Sequence, residues 1–303
     1  VRIIKEPNVT VSDYSRGKTV PISDLDDEDF TLVVDQANTW GFKIDDIEKA
    51  HSHVNFEAMA TDNAGYNLAR QMDMETLGYL SGYKQSSLNA VADTVNDVVN
   101  GTKAVATAGS DELLASMKLK KGDFGTITTA SAGDHSIPLA PRLPGATALP
   151  TDVISPVTLI NRMSKKLDQQ FVASDGRWLV IDPTFKELLQ DEDSRFLNAD
   201  FGASGALRNG DAPTMIAGFR VYCSNNLPSV GGGADTNGTA NQNTDYGVIV
   251  AGHPSSVATA SQISTTESFR DQDTFADVVR GLNLYGRKIL RPEGLVTAKY
   301  NAA

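Results

Sequence analysis

The feature that most constrains this chain is the run 45–80, which contains no proline and is rich in strong helix formers. At about 1.5 Å per residue, a helix of this length would span roughly 54 Å. Stepping by four and three residues from Ile47 gives a stripe that is only partly apolar, and that is not typical of a helix at the centre of a bundle. The run therefore predicts a long strut, with Gly65 as the point where it could bend or break.

Residues 1–43, which precede the strut, have the pattern of a β-hairpin. Its arms, VRIIKEPNVTVSDY and FTLVVDQANTWGFKI, are rich in β-branched residues, and the polar stretch between them contains Gly17 and Pro21. A two-stranded hairpin with so little apolar content is not stable by itself in water. We therefore expect it to lie on another part of the protein or on a partner.

Composition excludes several classes of protein. The formal net charge of −11 argues against a domain that reads nucleic acid, because such domains need a basic surface. It is compatible with a protein that merely surrounds DNA, since an acidic inner wall repels it. There is no apolar run of about 18 residues, so no membrane span is expected. The single cysteine, Cys223, fits a reducing cytoplasm and is expected to pack as a small hydrophobe.

Prolines crowd the stretch from Pro138 to Pro156 and suggest a domain boundary near residue 140. In the following helix, Ser155 is expected at the N-cap and Pro156 in the first turn. The predicted apolar stripe of this helix comprises Val157, Ile160, Met163 and Leu167.

The stretch 176-GRWLVIDPTFKELLQ-190 is the most enzyme-like part of the chain. It predicts a strand over Trp178–Ile181, followed by Asp182 and a helix that opens at Pro183. A carboxylate at the end of a strand could be a nucleophile or a general acid. However, neither a second acid nor a glycine-rich loop accompanies it, so a helix cap at Asp182 followed by Pro183 is the favoured interpretation.

Other candidates for chemistry are weak. His51 and His53 are two residues apart, so on a helix they point to different sides and make a poor metal pair. The glycines 231–233 lack the GK[ST] of a phosphate loop, and 131–135 lacks the G-x-S-x-G of a hydrolase. We therefore assign no catalytic, cofactor-binding or metal-binding residue.

The remaining elements are short. Helices are expected at LNAVADTVNDVVN and near DELLASMK, and strands at GTITTA and 215–228. Residues 231–245 are of low complexity, and 280–300 predicts two strands around Arg291–Gly294.

The order of these elements resembles the major capsid proteins of tailed bacteriophages, an α+β fold of the Hong Kong 97 type. The resemblance implies an extended E-loop hairpin with a remnant of the N-terminal arm at 1–44. It implies a peripheral domain at 45–140 that contains the spine helix at about 45–80, an axial domain at 141–270, and return strands of the peripheral domain, as a strand pair, at 271–303.

In that family, the hairpin of one subunit lies across its neighbour, so inter-subunit contacts are expected from the charged residues of the E-loop. These are Arg16, Lys18, Asp24, Asp26, Asp27, Glu28 and Asp29. Some relatives form a Lys–Asn cross-link, but no partner asparagine or catalytic acid matches here, so that chemistry is not carried over to Lys18.

The resemblance further implies a shell of pentamers and hexamers that encloses double-stranded DNA in the virion and is assembled in the host cytoplasm. Scaffold, portal and possible decoration proteins are the expected partners. Three alternatives remain open: a cargo shell of the encapsulin kind, a soluble α/β enzyme built on 155–228, and a tail or baseplate component.

Overall fold

A computed structural model of the protein describes residues 2–4, 13, 15–17, 29–51, 56–82, 113–119, 121–124, 137–139, 154–190, 215–227, 229–230 and 246–302. The chain divides into two compact units. Unit 1 comprises Val1–Phe56 and Ala258–Leu290, and unit 2 comprises Glu57–Val257 and Arg291–Ala303.

The strands, in chain order, are β1 (Arg2–Ile4), β2 (Asp29–Thr31), β3 (Gln36–Asp45), β4 (Lys118–Leu119), β5 (Ile137–Leu139), β6 (Trp178–Ile181), β7 (Met215–Ile216), β8 (Phe219–Cys223), β9 (Ser229–Val230), β10 (Tyr246–Gly252), β11 (Val257–Arg270), β12 (Ala276–Ile289) and β13 (Leu295–Ala302). The α-helices are α1 (Asp46–His51), α2 (Phe56–Ser81), α3 (Pro156–Gln169) and α4 (Pro183–Gln190).

Unit 1 contains a three-stranded sheet in the order β11–β12–β3. β12 and β3 are antiparallel, from Ala276 opposite Asp45 to Tyr285 opposite Gln36. Along β3 the side chains alternate between half-buried and exposed, as expected of a strand with one covered face. The half-buried face carries Trp40, whose ring stacks on that of Phe42 at a centroid distance of 5.7 Å.

The two predicted hairpin arms pair over only a short length among the described residues. β1 pairs antiparallel with β2, from Arg2 opposite Thr31 to Ile4 opposite Asp29. Most of the second arm is β3, which pairs with β12 instead. This partner lies more than 200 residues further along the chain, so local sequence patterns do not indicate it.

Unit 2 is built on an eight-stranded sheet in which β4–β13–β10–β6–β8–β7 are successive neighbours, with β5 beside β13 and β9 beside β10. β10 and β13 are antiparallel from Tyr246 opposite Asn301 to Gly252 opposite Leu295. The two strands predicted around Arg291–Gly294 exist as β12 and β13. They do not form the expected strand pair, because β12 belongs to the sheet of unit 1 and β13 to that of unit 2.

The main hydrophobic core lies in unit 2, where side chains of α3 and α4 pack with those of the sheet. Burying each large aliphatic side chain stabilises the fold by about 1.5–3 kcal/mol. The predicted stripe of α3 is confirmed at three of its four positions, because Val157 is only half-buried and Leu159 is buried instead. Fully or almost fully buried members of the core include Leu159, Ile160, Met163, Leu167, Leu179, Ile181, Phe185, Leu189, Val296, Ala298 and Tyr300.

Two predictions about helices need correction or refinement. α3 begins at Pro156 with Ser155 at its N-cap, but the Ser155 side chain makes no capping hydrogen bond. The 26-residue α2 continues through Gly65 without a break and is about 39 Å long. The helix predicted over 45–80 begins one residue later, at Asp46, because Asp45 ends β3. Residues 52–55, between α1 and α2, lie outside the described residues, so its continuity stays a prediction.

The predicted helix near DELLASMK is wrong. A single 3-10 turn, Ala115–Met117, leads directly into strand β4. Met117 and Leu119 are fully buried, and the pairing of β4 with β13 outweighs the local preference for helix. The helix expected at 88–100, the strand at 125–130 and the loop at 231–245 lie outside the described residues. In the described part of the chain, no helix is long and apolar enough to cross a membrane.

Candidate functional site

Charged side chains gather at one end of the unit 1 sheet, where β11 turns into β12. Lys43 Nζ donates to Asp271 Oδ2 at 2.5 Å, and Thr274 Oγ1 donates to the same oxygen at 2.6 Å. Arg270 forms ion pairs with Asp46 and with Asp277. The turn is closed by the Asp271 N–H, which donates to the Ala276 carbonyl at 3.0 Å. These contacts give the exposed end of a hairpin a fixed conformation.

The pairing shifts the pKa values of two of these groups. The Lys43 ammonium, with Thr274 Oγ1 and the Asp273 N–H, holds the pKa of the Asp271 carboxyl well below its usual range. Hydrogen bonding to Asp46 raises the pKa of Arg270 further. Arg270 is exposed and Asp271 is partly exposed, so solvent screening keeps the contribution of these pairs to stability small. Their main effect is to fix the positions of the charges.

Exposed apolar side chains accompany these charges in unit 1. Phe275, in the β11–β12 turn, is 80% exposed, and Ile47 is 66% exposed. The Phe275 carbonyl accepts a hydrogen bond from the N–H of Asp46, the residue before Ile47. Apolar residues that are surrounded by charged residues are typical of protein–protein contact surfaces.

A second mixed contact lies along β11 and β12. The guanidinium of Arg280 lies 4.9 Å from the ring centroid of Phe269 and donates to Glu267 Oε2 at 2.9 Å. Phe269 and Leu282 are both partly exposed. Unit 1 therefore presents aromatic and charged groups together, an arrangement suited to binding another protein surface.

Asp182 lies in unit 2 and is almost fully buried. Its Oδ1 accepts the backbone N–H of Phe185 at 3.2 Å, and its carbonyl accepts the N–H of Lys186. This is the geometry of an N-cap, with Pro183 as the first residue of α4. Tyr300 Oη also donates to Oδ1 at 2.5 Å. The site is closed to solvent, which speaks against an attack by this carboxylate on a substrate.

The sequence predicted that Cys223 packs as a small hydrophobe, and this prediction is wrong. Cys223 is exposed at the end of β8. Partial burial raises the pKa of its thiol, although nearby Lys186 lowers it. The reactive thiolate form is therefore disfavoured at neutral pH.

Most of the predicted contact residues of the E-loop lie outside the described residues, namely Lys18, Asp24, Asp26, Asp27 and Glu28. Arg16 is exposed in a turn with Gly17, whose φ of 88° requires the left-handed region. Asp29 begins β2. His51 is exposed, and within the described ranges no group of three or more His, Cys, Asp or Glu could hold a metal ion. His53, 131–135 and 231–233 are not among the described residues.

One surface residue was missed by the sequence analysis. Phe171 follows the C-terminus of α3 with a positive φ and an almost fully exposed side chain. The only signal in the sequence is a lone aromatic in the polar run 168-DQQFVASDG-176.

Comparisons with known proteins agree on one class. Residues 65–298 match the family model described as phage capsid protein. A structure from Mycobacterium phage Che8 aligns with a TM-score of 0.61 and 24% identity over 98% of this chain and 82% of that one. The capsid of cyanophage P-SCSP1u aligns with a TM-score of 0.61 and 17% identity over 100% and 83% of the two chains. The mature capsid of bacteriophage PhiM1 aligns with a TM-score of 0.60 and 16% identity over 99% of this chain and 81% of that one. A comparison with curated protein sequences gives no significant match.

The fold is thus that of a viral shell subunit, a mixed α and β chain of the Hong Kong 97 type. Because the family match covers well over half of the sequence, the chain belongs to the phage capsid protein family. It is a major capsid protein, a structural component of the icosahedral shell of a tailed bacteriophage, and it associates with copies of itself. The match favours the phage coat over the cargo shell, the soluble enzyme and the tail component that the sequence left open.

Proposed function

We propose that this subunit assembles as pentamers and hexamers and that unit 1 is the part that lies against neighbouring subunits. The observation that carries the proposal is the exposure of β11, at the edge of the three-stranded sheet. β11, which has 14 residues, is an edge strand of that sheet, and the side chains of 264–270 are all exposed. A long edge strand whose side chains are exposed is a surface on which another chain can pack.

The hairpin 1–44 is proposed as the E-loop. The pairing of β1 with β2 supports this, because it brings the two ends of residues 5–28 together. The hairpin carries both signs of charge, since Arg16 and Lys18 precede the acidic run 24–29 in the sequence. Opposite charges on one extended segment suit contacts that fix the register between neighbouring subunits.

The peripheral domain (45–140 and 271–303) and the axial domain (141–270) are proposed as functional regions of the subunit. They differ from the two compact units. Unit 2 joins most of α2 to the large sheet, and β11 lies in unit 1 apart from its first residue. The functional names describe places in the shell, whereas the units describe packing within one chain.

The shell is proposed to enclose double-stranded DNA without reading its sequence, and the subunit is proposed to have no enzymatic activity. The net charge of −11 supports an interior that does not hold DNA tightly. Assembly is proposed to occur in the host cytoplasm, with scaffold, portal and possible decoration proteins as further partners.

The test is cryo-electron microscopy of particles produced by the full chain expressed with the other structural proteins of its phage. We expect icosahedral shells in which residues 1–44 reach a neighbouring subunit and DNA fills the interior. Shells in which residues 1–44 contact only their own subunit would contradict the E-loop assignment.

A further inference from the structure

Phe171 combines two features that are unfavourable in an isolated subunit. Its φ is 56°, in the left-handed region that a bulky side chain rarely adopts. Its side chain is 97% exposed, so the ring gains nothing from burial. At the end of a helix this position is usually glycine or asparagine. Strained, exposed residues of this kind are concentrated at functional surfaces.

The surrounding loop holds this conformation in place. The Phe171 N–H donates to the Asp168 carbonyl at 3.0 Å, and the Val172 N–H donates to the Leu167 carbonyl at 3.2 Å. Both bonds close the end of α3, and together they require a left-handed residue between helix and loop. The backbone at Phe171 is therefore set by the helix end and not by its own side chain.

The side chain of Arg177 binds the loop that follows Phe171. It is only 3% exposed, and its Nη2 pairs with Asp168 Oδ1 at 2.7 Å. The same nitrogen donates to the Val172 carbonyl at 2.6 Å, and Nε donates to the Ala173 carbonyl at 2.8 Å. A buried guanidinium that pairs with the last turn of α3 and with two carbonyls of the loop fixes the loop against the helix. The ring of Phe171 is thus presented on a rigid support.

The surface beside Phe171 carries charges of both signs. A cavity of about 360 Å³ opens next to it and is lined by His253, Arg291 and Glu293 among others. On the other side, Asp168 is neutralised by Arg177. In a chain with a net charge of −11, two copies repel each other over most of their surfaces. They can approach more easily where charges of both signs lie together, as they do here.

We propose that Phe171 is an anchor residue through which unit 2 binds a second copy of this chain in the shell. The inference rests on the proposed assembly and adds a contact outside unit 1. A shell surrounds each subunit with further copies, so a second copy is the partner most available to this surface. Aromatic side chains that are buried on association supply much of the energy of protein contacts. A rigid support also reduces the entropy lost on binding.

The decisive variant is Phe171→Gly, because glycine relieves the backbone strain while removing the ring. A purely structural role predicts a subunit that is at least as stable and assembles as well as wild type. The proposal predicts a thermal midpoint that is unchanged or raised by a few degrees. It also predicts a critical concentration for assembly that is raised at least about tenfold. Phe171→Tyr, which keeps the ring, should assemble like wild type.

Met215→Ala is the matched control, since Met215 is another exposed apolar residue of unit 2 and is 69% exposed. It should change neither the thermal midpoint nor the critical concentration. If the wild-type chain assembles and Phe171→Gly assembles equally well, this inference is overturned and the proposed function stands. Failure of the wild-type chain to assemble with its phage's structural proteins would overturn both.

Photo-cross-linking identifies the occupant directly. With p-benzoylphenylalanine in place of Phe171, irradiation of assembled shells should give a covalent dimer of this chain, and dissociated subunits should not. A cross-link to a different protein, or no dimer from assembled shells, would show that a second copy does not cover this residue.

Discussion

Tyr300 Oη donates a 2.5 Å hydrogen bond to Asp182 Oδ1, the oxygen that also caps α4 by accepting the Phe185 N–H. Asp182 follows β6, whereas Tyr300 lies on β13 near the end of the chain, and both are buried. The Tyr300 ring also packs edge-on against Phe185, with 5.3 Å between centroids. One carboxylate therefore joins a helix start to a distant strand, which is a structural role.

Replacing Asp182 with alanine should destabilise the subunit by about 2–4 kcal/mol, because it removes a cap and deprives the buried Tyr300 hydroxyl of its acceptor. Asp182→Asn should cost less, since asparagine still caps a helix. Urea denaturation followed by circular dichroism measures these differences. Glu187→Ala, at an exposed position of the same helix, is the control and should stay within about 0.5 kcal/mol of wild type. A loss below 0.5 kcal/mol for Asp182→Ala would contradict this account.

The interaction between the two side chains can be measured separately. Tyr300→Phe keeps the ring and should cost about 1–3 kcal/mol. In a double-mutant cycle with Asp182→Ala, which removes the acceptor, the two single effects should add to more than the loss in the double variant. Additive effects would show that the hydrogen bond contributes no coupling energy.

Gly247 is predicted to tolerate no side chain. A Cβ at this position would lie 2.6 Å from both Asp182 Oδ2 and Tyr300 Oη. Gly247→Ala should therefore destabilise the subunit by about 1–3 kcal/mol through overpacking. Gly65→Ala is the matched control, because nothing lies within 4 Å of its added Cβ on α2. It should instead stabilise the subunit by about 0.5–1 kcal/mol. Thermal unfolding of both variants measures the two changes in stability.

The Asp271 carboxyl should titrate well below the ordinary aspartate value of about 3.9. Its pKa is lower in the folded than in the unfolded chain, so its contribution to stability is fully present above the unfolded value. That contribution is lost as the pH falls through the folded pKa. Carbon-13 NMR of the side-chain carboxyl measures the titration. Lys43→Met should raise the pKa towards the ordinary value, and an unchanged pKa would contradict the assigned cause.

Assembly should depend on salt, since subunits with a net charge of −11 repel each other at low ionic strength. Raising the salt concentration to about 0.1 M shortens the Debye length to roughly 10 Å and should promote association. Light scattering of purified subunits at a fixed protein concentration measures this. Scattering that is the same at low and moderate salt would argue against repulsion as the barrier.

The elements predicted best from the sequence are those fixed by local chemistry. The strand, Asp182–Pro183 junction and helix of 176–190 have their expected bounds because capping and apolar periodicity act within a few residues. The strands on either side of Arg291–Gly294 were predicted for the same reason.

The errors arise where distant contacts decide the structure. DELLASMK has the composition of a helix, yet a 3-10 turn forms over Ala115–Met117 and β4 begins at Lys118, because Lys118 and Leu119 pair with β13. Cys223 lies in an apolar run, but its strand leaves the thiol exposed. The partner of β3 is not indicated by the local sequence, because β12 lies more than 200 residues further along the chain. The exposure of Phe171 is marked only by a lone aromatic in a polar run. The order of the elements along the sequence was enough to predict the family.

The central claim is that this chain builds a closed shell from copies of itself. Cryo-electron microscopy of the purified particles tests it most directly. The account predicts icosahedral shells tens of nanometres wide, in which every capsid position is occupied by this chain. Particles with no shell, or shells whose capsid positions are filled by another protein, would contradict it.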